Sequence, residues 1–154
     1  MTDTQQWVQY DFKADQGSEW KRFVRFLQSG GSPVDLTGCE IDMNIRMGVA
    51  DSGADLVAQL TTRGTGSGAG RITYCGENSA GELDEEAAAD PTTGRVRLFI
   101  SSTDMAALRP GTAKKKWPQD ATLYYDIEIT DTLGVVRRWM AGEWVLSREV
   151  TRIA

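Results

Sequence analysis

The chain has 154 residues, of which 40% are apolar and 25% charged, and this balance is typical of one folded domain. Its formal net charge of -5 argues against nucleic acid as a partner, because phosphate backbones are held by clustered Lys and Arg. The absence of histidine excludes Ser/His/Asp and Cys/His nucleophiles and nearly all zinc sites. We therefore predict a single domain over residues 1–154 that holds no metal and no cofactor.

The N-terminal sequence, Met-Thr-Asp-Thr-Gln-Gln, has no basic leader and no apolar segment of the kind that directs secretion. No later stretch approaches the roughly 20 apolar residues that span a bilayer. These features predict a protein with no membrane partner that is made in the cytosol, where it stays or is built into a particle.

Apolar and polar side chains alternate along most of the chain, which is the pattern of strands with one buried and one wet face. A first strand is predicted at 8–12, in which Val8, Tyr10 and Phe12 share a face, and a second at 20–26. The turn residues at 29–33 end the second strand, since Gly allows positive φ and Pro removes an amide donor. The clearest strand follows, with one face formed by Ile41, Met43, Ile45 and Met47.

Further strands are predicted at 55–61, 71–75 and 94–100 on the same alternation. The glycine-rich residues 63–70 lack the Gly-Lys-Ser/Thr ending and the following helix of a phosphate loop, so they indicate a flexible hairpin loop. Residues 102–108 predict a single capped turn of helix that connects two strands.

The last two strands form a predicted hairpin across the turn at 131–134. Along its first arm, Leu123, Tyr125, Ile127 and Ile129 alternate with polar residues. In the second arm, 135–147, apolar residues occur at both odd- and even-numbered positions, and so on both faces of the strand. A bulge or bend near Gly142 accounts for this pattern, and so does a central strand that is covered on both faces.

Eight or nine short strands without alternating helices predict an all-β fold. An antiparallel two-sheet β-sandwich with one short helical turn is favoured over a barrel. Cys39 and Cys75, each inside a predicted strand, are interpreted as two buried free thiols.

Two charged segments are candidates for protein contacts. Residues 77–93 contain six acidic and no basic side chains, which predicts a solvated excursion with one helical turn at 85–89; their spacing does not match a calcium loop. Residues 113–118 form a basic run that ends in an aromatic residue. This run is either a solvated loop tip or a contact with the acidic segment of another copy. The candidate contact residues are Lys114, Lys115, Lys116, Trp117, Glu82, Asp84, Glu85 and Glu86.

Two other classes of function remain open at this point. Asp126 and Glu128 could act as an acid and base pair, but i, i+2 spacing is the usual arrangement of wet residues on an outer strand face, so we predict no enzymatic activity. If they are exposed, Trp7, Trp117 and Trp139 could stack on sugar rings, which would make the chain a carbohydrate- or receptor-binding module.

Several short segments occur in the order found in a family of small proteins from tailed bacteriophages. They are 33–38, 94–98, 102–108 with Pro110-Gly111, 125–128, 134–138, Gly142 and 150–152, and together they span about residues 18 to 152. The chain resembles the immunoglobulin-like N-terminal part of phage upper baseplate proteins, and its longer charged loops at 77–93 and 112–121 depart from that pattern.

The resemblance implies an immunoglobulin-like sandwich and a structural role without enzymatic activity. It implies a virion component of the tail, baseplate or fibre-attachment region, assembled in the host cytoplasm as several copies. Its partners would be other virion proteins and copies of itself in a symmetric assembly. A capsid decoration protein is an alternative within the same class.

Overall fold

The computed structural model describes residues 7–47, 56–63, 70–108 and 121–147. Within these ranges the chain is mostly strand, as the alternation predicted. The strands are β1 (Val8–Gln9), β2 (Phe12–Asp15), β3 (Trp20–Arg25), β4 (Glu40–Arg46), β5 (Leu56–Thr61), β6 (Gly70–Tyr74), β7 (Gly76–Glu77), β8 (Leu83–Asp84), β9 (Arg95–Ile100), β10 (Ala121–Thr130) and β11 (Val136–Ser147). One α-helix, α1 (Ser102–Ala107), connects β9 to the segment before β10. Most of the glycine-rich loop predicted at 63–70 lies outside the described residues.

Nine of these strands form one hydrogen-bonded sheet rather than two clearly separate sheets. The order is β1-β11-β10-β4-β5-β6-β9-β3, and β2 pairs with β11 beyond β1. The expectation of a wholly antiparallel fold is wrong, because β1 and β2 run parallel to β11 and β5 runs parallel to β6. The sheet curls into a half-barrel, so the two-sheet sandwich was too simple a prediction.

The curl of the sheet brings its two ends face to face. Trp20 of β3 lies edge-on to Trp144 of β11, with 5.5 Å between ring centroids, and Phe12 of β2 lies 5.2 Å from Trp20. The Trp20 indole also donates a hydrogen bond of 3.0 Å to the carbonyl of Lys13. Aromatic edge-to-face contacts and this side-chain hydrogen bond therefore join the ends, between which no strand pairing is present in the described residues.

One apolar core fills the concave side of the sheet. The predicted inward faces of β4 and β10 are buried. On β4, Ile41, Met43 and Ile45 are fully enclosed, while Met47, just after the strand, is partly buried. The fully enclosed side chains include Ile41, Met43, Ile45, Leu98, Ile100, Leu123, Tyr125 and Ile127. These residues come from β4, β9 and β10, and on these strands the period-two pattern identified the core correctly.

The predicted helix is present. Ser101 caps α1, because its hydroxyl accepts a hydrogen bond of 3.2 Å from the amide of Asp104. Met105 is fully buried and packs the turn against the core. The helix is too short to stand alone, so this burial is what holds it.

The prediction for the first strand is wrong about which side chains face the core. The chain forms two short strands instead of one, and only Phe12 of the three alternating residues is buried. Val8 and Tyr10 are 60% and 53% exposed, because β1 lies at the edge of the sheet. Alternation in the sequence shows which side chains share a strand face, but it does not show whether that face lies over the core or beyond its edge.

The predicted bulge in β11 is present, but it is not at Gly142. The pairing of β10 with β11 shifts between Ile127 and Glu128, which face Met140 and Arg138, so Trp139 is the extra residue. Gly142 has another role. A side chain there would overlap the backbone carbonyl of Tyr10, so glycine lets the N-terminal segment cross β11 closely.

The acidic segment 77–93 is more regular than predicted. β7 pairs with β8 in a short hairpin, and a 3-10 helix follows at Pro91–Thr93, where Asp90 provides the N-cap. Residues 85–89 are not helical, so the predicted helical turn there is wrong. The Asp84 carboxylate accepts a hydrogen bond from the Glu86 amide, which is a local turn that competes with helix formation.

Candidate functional site

Four exposed apolar side chains lie at one end of the sheet. β3 ends there, β11 begins there, and the turn between β10 and β11 extends from it. We call the set Leu27, Leu133, Val135 and Val136 the apolar loop patch; their exposed fractions are 44%, 87%, 44% and 53%. Exposed apolar residues grouped at one end of a folded chain are candidates for a contact with another molecule.

The turn that carries the patch is fixed by its own hydrogen bonds. The Asp131 carboxylate accepts from the amides of Leu133 and Val135 at 2.9 and 3.0 Å. Gly134 provides the positive φ of 84° that the turn requires. The exposed Leu133 is therefore held outward by an ordered backbone.

The neighbouring loop is packed against the base of this hairpin. Phe26, the residue before Leu27, lies edge-on to Trp139 of β11 with 6.0 Å between ring centroids. A Cβ atom at Gly38 would lie 2.8 Å from a methyl carbon of Thr132, so the two loops are in close contact. The Thr37 hydroxyl donates to the Asp35 carboxylate and lowers the pKa of that group, which keeps a negative charge at this end.

The N-terminal edge adds a further exposed ring near the patch. Trp7 is 43% exposed, and the Arg138 guanidinium lies over its ring at 5.8 Å from the centroid. Of the predicted sugar-stacking residues, Trp7 is thus accessible, whereas Trp139 is half-buried against Phe26. Trp117 lies outside the described residues.

The predicted acidic contact residues are found on the β7–β8 hairpin and the turn after it. Glu82 and Glu86 are exposed, Asp84 is half-buried, and Glu85 forms an ion pair of 3.4 Å with Lys21 of β3. An ion pair between two such exposed side chains contributes little to stability. Their proposed partners Lys114, Lys115 and Lys116 lie outside the described residues, so the pairing of the two charged segments stays a prediction.

The two cysteines are free, as interpreted from the sequence, but they are not inside strands. Cys39 precedes β4 and is half-buried, and Cys75 follows β6 and is buried. Burial raises the pKa of both thiols, which makes them poor nucleophiles at neutral pH.

The carboxyl pair on β10 is not the wet pair that its spacing predicted. Asp126 is only 4% exposed and lies 3.6 Å from the Arg138 guanidinium, while Glu128 is half-buried. Sequence spacing missed this because β10 lies inside the sheet, between β11 and β4, and the Arg138 side chain of β11 reaches the Asp126 carboxylate.

Two kinds of feature, a metal-binding cluster and a membrane-spanning helix, are not found in the part of the chain that the structure describes. No group of three or more His, Cys, Asp or Glu side chains there is arranged to hold a metal ion. No helix within those ranges has the length and apolar character that a membrane span requires.

Comparisons with known proteins give no family for this chain. No family model and no curated protein matches the sequence. A solved structure of VGSC beta subunits, studied for multimeric cell-adhesive interactions, shares 10% identity at a TM-score of 0.37 and covers 92% of both chains. A family 123 glycoside hydrolase from Clostridium perfringens shares 10% identity at a TM-score of 0.27, where this chain covers 23% of its length. At these scores neither likeness bears on fold or activity.

Proposed function

We propose that this chain is a non-enzymatic structural subunit that assembles with copies of itself, and that the apolar loop patch is the contact. The observation that carries the proposal is Leu133, 87% exposed at the tip of an ordered hairpin. Folding of one chain leaves this side chain in water, and a second copy would bury it. A two-fold axis through the patch would place the same residues on both sides.

The setting that we propose is a tailed-phage particle, in the tail, baseplate or fibre-attachment region. Its support is the ordered set of segments between residues 18 and 152 that resembles phage baseplate proteins. Capsid decoration is the alternative setting. Mass spectrometry of separated heads and tails distinguishes them, and absence of the chain from both would contradict this setting.

We further infer that the curled sheet is an immunoglobulin-like arrangement of two facing layers. One layer would contain β11, β10, β4 and β5, and the other β6, β9 and β3, which is the division of strands in variable-type immunoglobulin domains. This division is supported by the short pairing of β5 with β6, the two strands at the boundary between the layers, which pair at only two positions. In that fold, the loops at one end form the binding surface, and here that end carries the apolar loop patch.

The contact is tested by light scattering on purified protein across a concentration series. The wild-type chain is expected to associate, and Leu133→Asp should weaken association at least about tenfold, because burial of a leucine side chain contributes about 1.5–3 kcal/mol. Leu56→Asp is the matched control, since Leu56 is also exposed, at 39%, but lies on β5. A monomeric wild-type chain, or equal effects of both variants, would contradict the proposed contact.

A carbohydrate-binding role is the second candidate, favoured by the exposed ring of Trp7 beside Arg138. This role predicts that the wild-type chain binds a glycan on an array. The Trp7→Ala variant should lose that binding and keep the oligomeric state of the wild-type chain. Binding of no glycan by the wild-type chain would remove this candidate and leave the structural role intact.

A further inference from the structure

The outer face of three adjacent strands is basic, although the chain as a whole is acidic. β6, β9 and β3 contain six basic and no acidic residues, whereas the whole chain has 17 basic and 22 acidic residues. Ile72, Val96 and Leu98 of these strands are buried in the core, so the residues that alternate with them lie on the outer face. Five basic side chains share that face, and we call them the basic face: Lys21, Arg25, Arg71, Arg95 and Arg97.

Part of the basic face is neutralised by the acidic segment of the same chain. Arg25 and Arg95 lie directly opposite each other, and the Glu77 carboxylate of β7 lies 3.6 and 4.0 Å from their guanidinium groups. Two like charges in this position repel, and the carboxylate between them offsets the repulsion. Glu85 pairs in the same way with Lys21. The basic face therefore binds carboxylates within its own chain.

Two cations of the basic face have no such counterion. Arg71 is exposed and Arg97 is half-buried, and neither forms an ion pair with another of the described residues. The two are diagonal neighbours, because Arg71 lies opposite Phe99 and Arg97 lies two residues before it. Diagonal neighbours on one sheet face are about 7–8 Å apart. Two uncompensated guanidinium groups are thus held at a defined spacing by strand register.

This spacing fits the carboxylates of an extended acidic peptide. Side chains at positions i and i+2 of an extended segment lie on one face, about 7 Å apart. A guanidinium group suits a carboxylate because its donors form a fork that matches the two oxygens. An extended segment with alternating acidic residues can therefore place one carboxylate on each of the two arginines.

The aromatic rings of the same face favour a peptide over a nucleic acid. The Arg97 guanidinium lies over the Phe99 ring at 5.1 Å from its centroid, and the Lys21 amine lies over Phe23 at 6.0 Å. Single-stranded nucleic acids are held largely by bases that stack on open aromatic rings. Rings that are already covered by cations do not offer this contact, so the face is suited to ionic partners.

We propose that the basic face binds an extended acidic segment of a partner protein, with alternate carboxylates on Arg97 and Arg71. The acidic segment of a second copy fits less well. Its Asp84 carboxylate accepts from the Glu86 amide, and the turn that this bond forms prevents residues 84–86 from being extended. The inference goes beyond self-association and is independent of the apolar loop patch.

The first test is fluorescence anisotropy with two labelled peptides of equal composition, at low salt because salt screens contacts between exposed charges. One peptide alternates Glu and Ser, and the other has all of its Glu residues in one block. The wild-type chain is expected to bind the alternating peptide more tightly, and added salt should weaken that binding. No binding, equal binding of the two peptides, or tighter binding of a single-stranded oligonucleotide of the same charge would overturn the proposal.

The second test changes the arginines. Arg71→Glu, at an exposed position where folding should be unaffected, is expected to weaken binding of the alternating peptide at least about fivefold, because repulsion replaces attraction. Arg97→Gln should weaken it in the same direction. Arg137→Glu is the matched control, since it makes the same change in net charge at an exposed position on β11. Equal effects of Arg71→Glu and Arg137→Glu would overturn the proposal.

Light scattering separates this surface from contacts between copies. Arg71→Glu should leave self-association of the chain unchanged, whatever the outcome for the apolar loop patch. Self-association that Arg71→Glu abolishes would mean that a second copy occupies the basic face, and it would overturn the proposal of a separate acidic partner.

Discussion

Two buried tryptophans show how one polar atom can decide how much a side chain contributes to the stability of the fold. Trp20 and Trp144 are both almost fully enclosed and in contact with each other. The Trp20 indole donates to the Lys13 carbonyl, whereas the Trp144 indole nitrogen has no partner among the described residues. A satisfied buried donor stabilises the fold modestly, and an unsatisfied one opposes it.

This difference predicts an unequal response to the same substitution. Trp20→Phe should lower the free energy of unfolding by about 1 kcal/mol or more beyond the loss in Trp144→Phe, because only the first removes a hydrogen bond. Urea denaturation followed by circular dichroism measures both. Equal losses, or a larger loss in Trp144→Phe, would mean that ring volume alone determines the effect.

Among the strands, the approach of β1 to β11 depends on a position without a side chain. At Gly142 an added Cβ would overlap the Tyr10 carbonyl and lie 2.9 Å from a carboxylate oxygen of Asp11. That oxygen accepts a hydrogen bond of 2.9 Å from the Glu143 amide, so the crossing is fixed on both sides of the glycine. The N-terminal segment is thus attached to the edge of β11 by backbone proximity.

Gly142→Ala should therefore lower the free energy of unfolding by about 1–3 kcal/mol, the usual cost of overpacking. Gly30→Ala is the matched control, since a Cβ there would have no neighbour within 4 Å. Its effect is expected to be small, or stabilising by less than about 1 kcal/mol. Chemical denaturation of both variants measures the difference, and similar losses would contradict the close crossing.

For the molecule as a whole, the two ends of the curled sheet share one apolar core. A single cluster joins residues of β3 and β9 with those of β4, β10 and β11. The proposed layers consequently cannot separate without exposing that core to water. Unfolding should be a single cooperative event.

This predicts that tryptophan fluorescence and far-ultraviolet circular dichroism report the same midpoint in urea. Fluorescence follows the packing of Trp20 against Trp144, and circular dichroism follows the strands as a whole. Two separated transitions would indicate that the layers unfold independently and that the single-domain prediction is wrong.

The sequence alone determined the class of fold and most of the core, because alternation along a strand decides which side chains can be buried together. It placed β4, β9, β10 and α1 correctly, and it predicted a turn at 131–134. It missed the apolar loop patch, although apolar residues on both sides of Gly134, within a turn, were a visible signal. The reason is that exposure depends on what lies opposite a residue in space.

Only the tertiary structure decided which strands pair, where the ends of the sheet meet and what covers its outer face. It brought Trp20 against Trp144 across 124 positions of the chain and enclosed Asp126 between Arg138 and the neighbouring strand. It also decided that the bulge predicted near Gly142 lies at Trp139. These features depend on strand register and curl, which are set by contacts between distant segments and not by the local alternation of side chains.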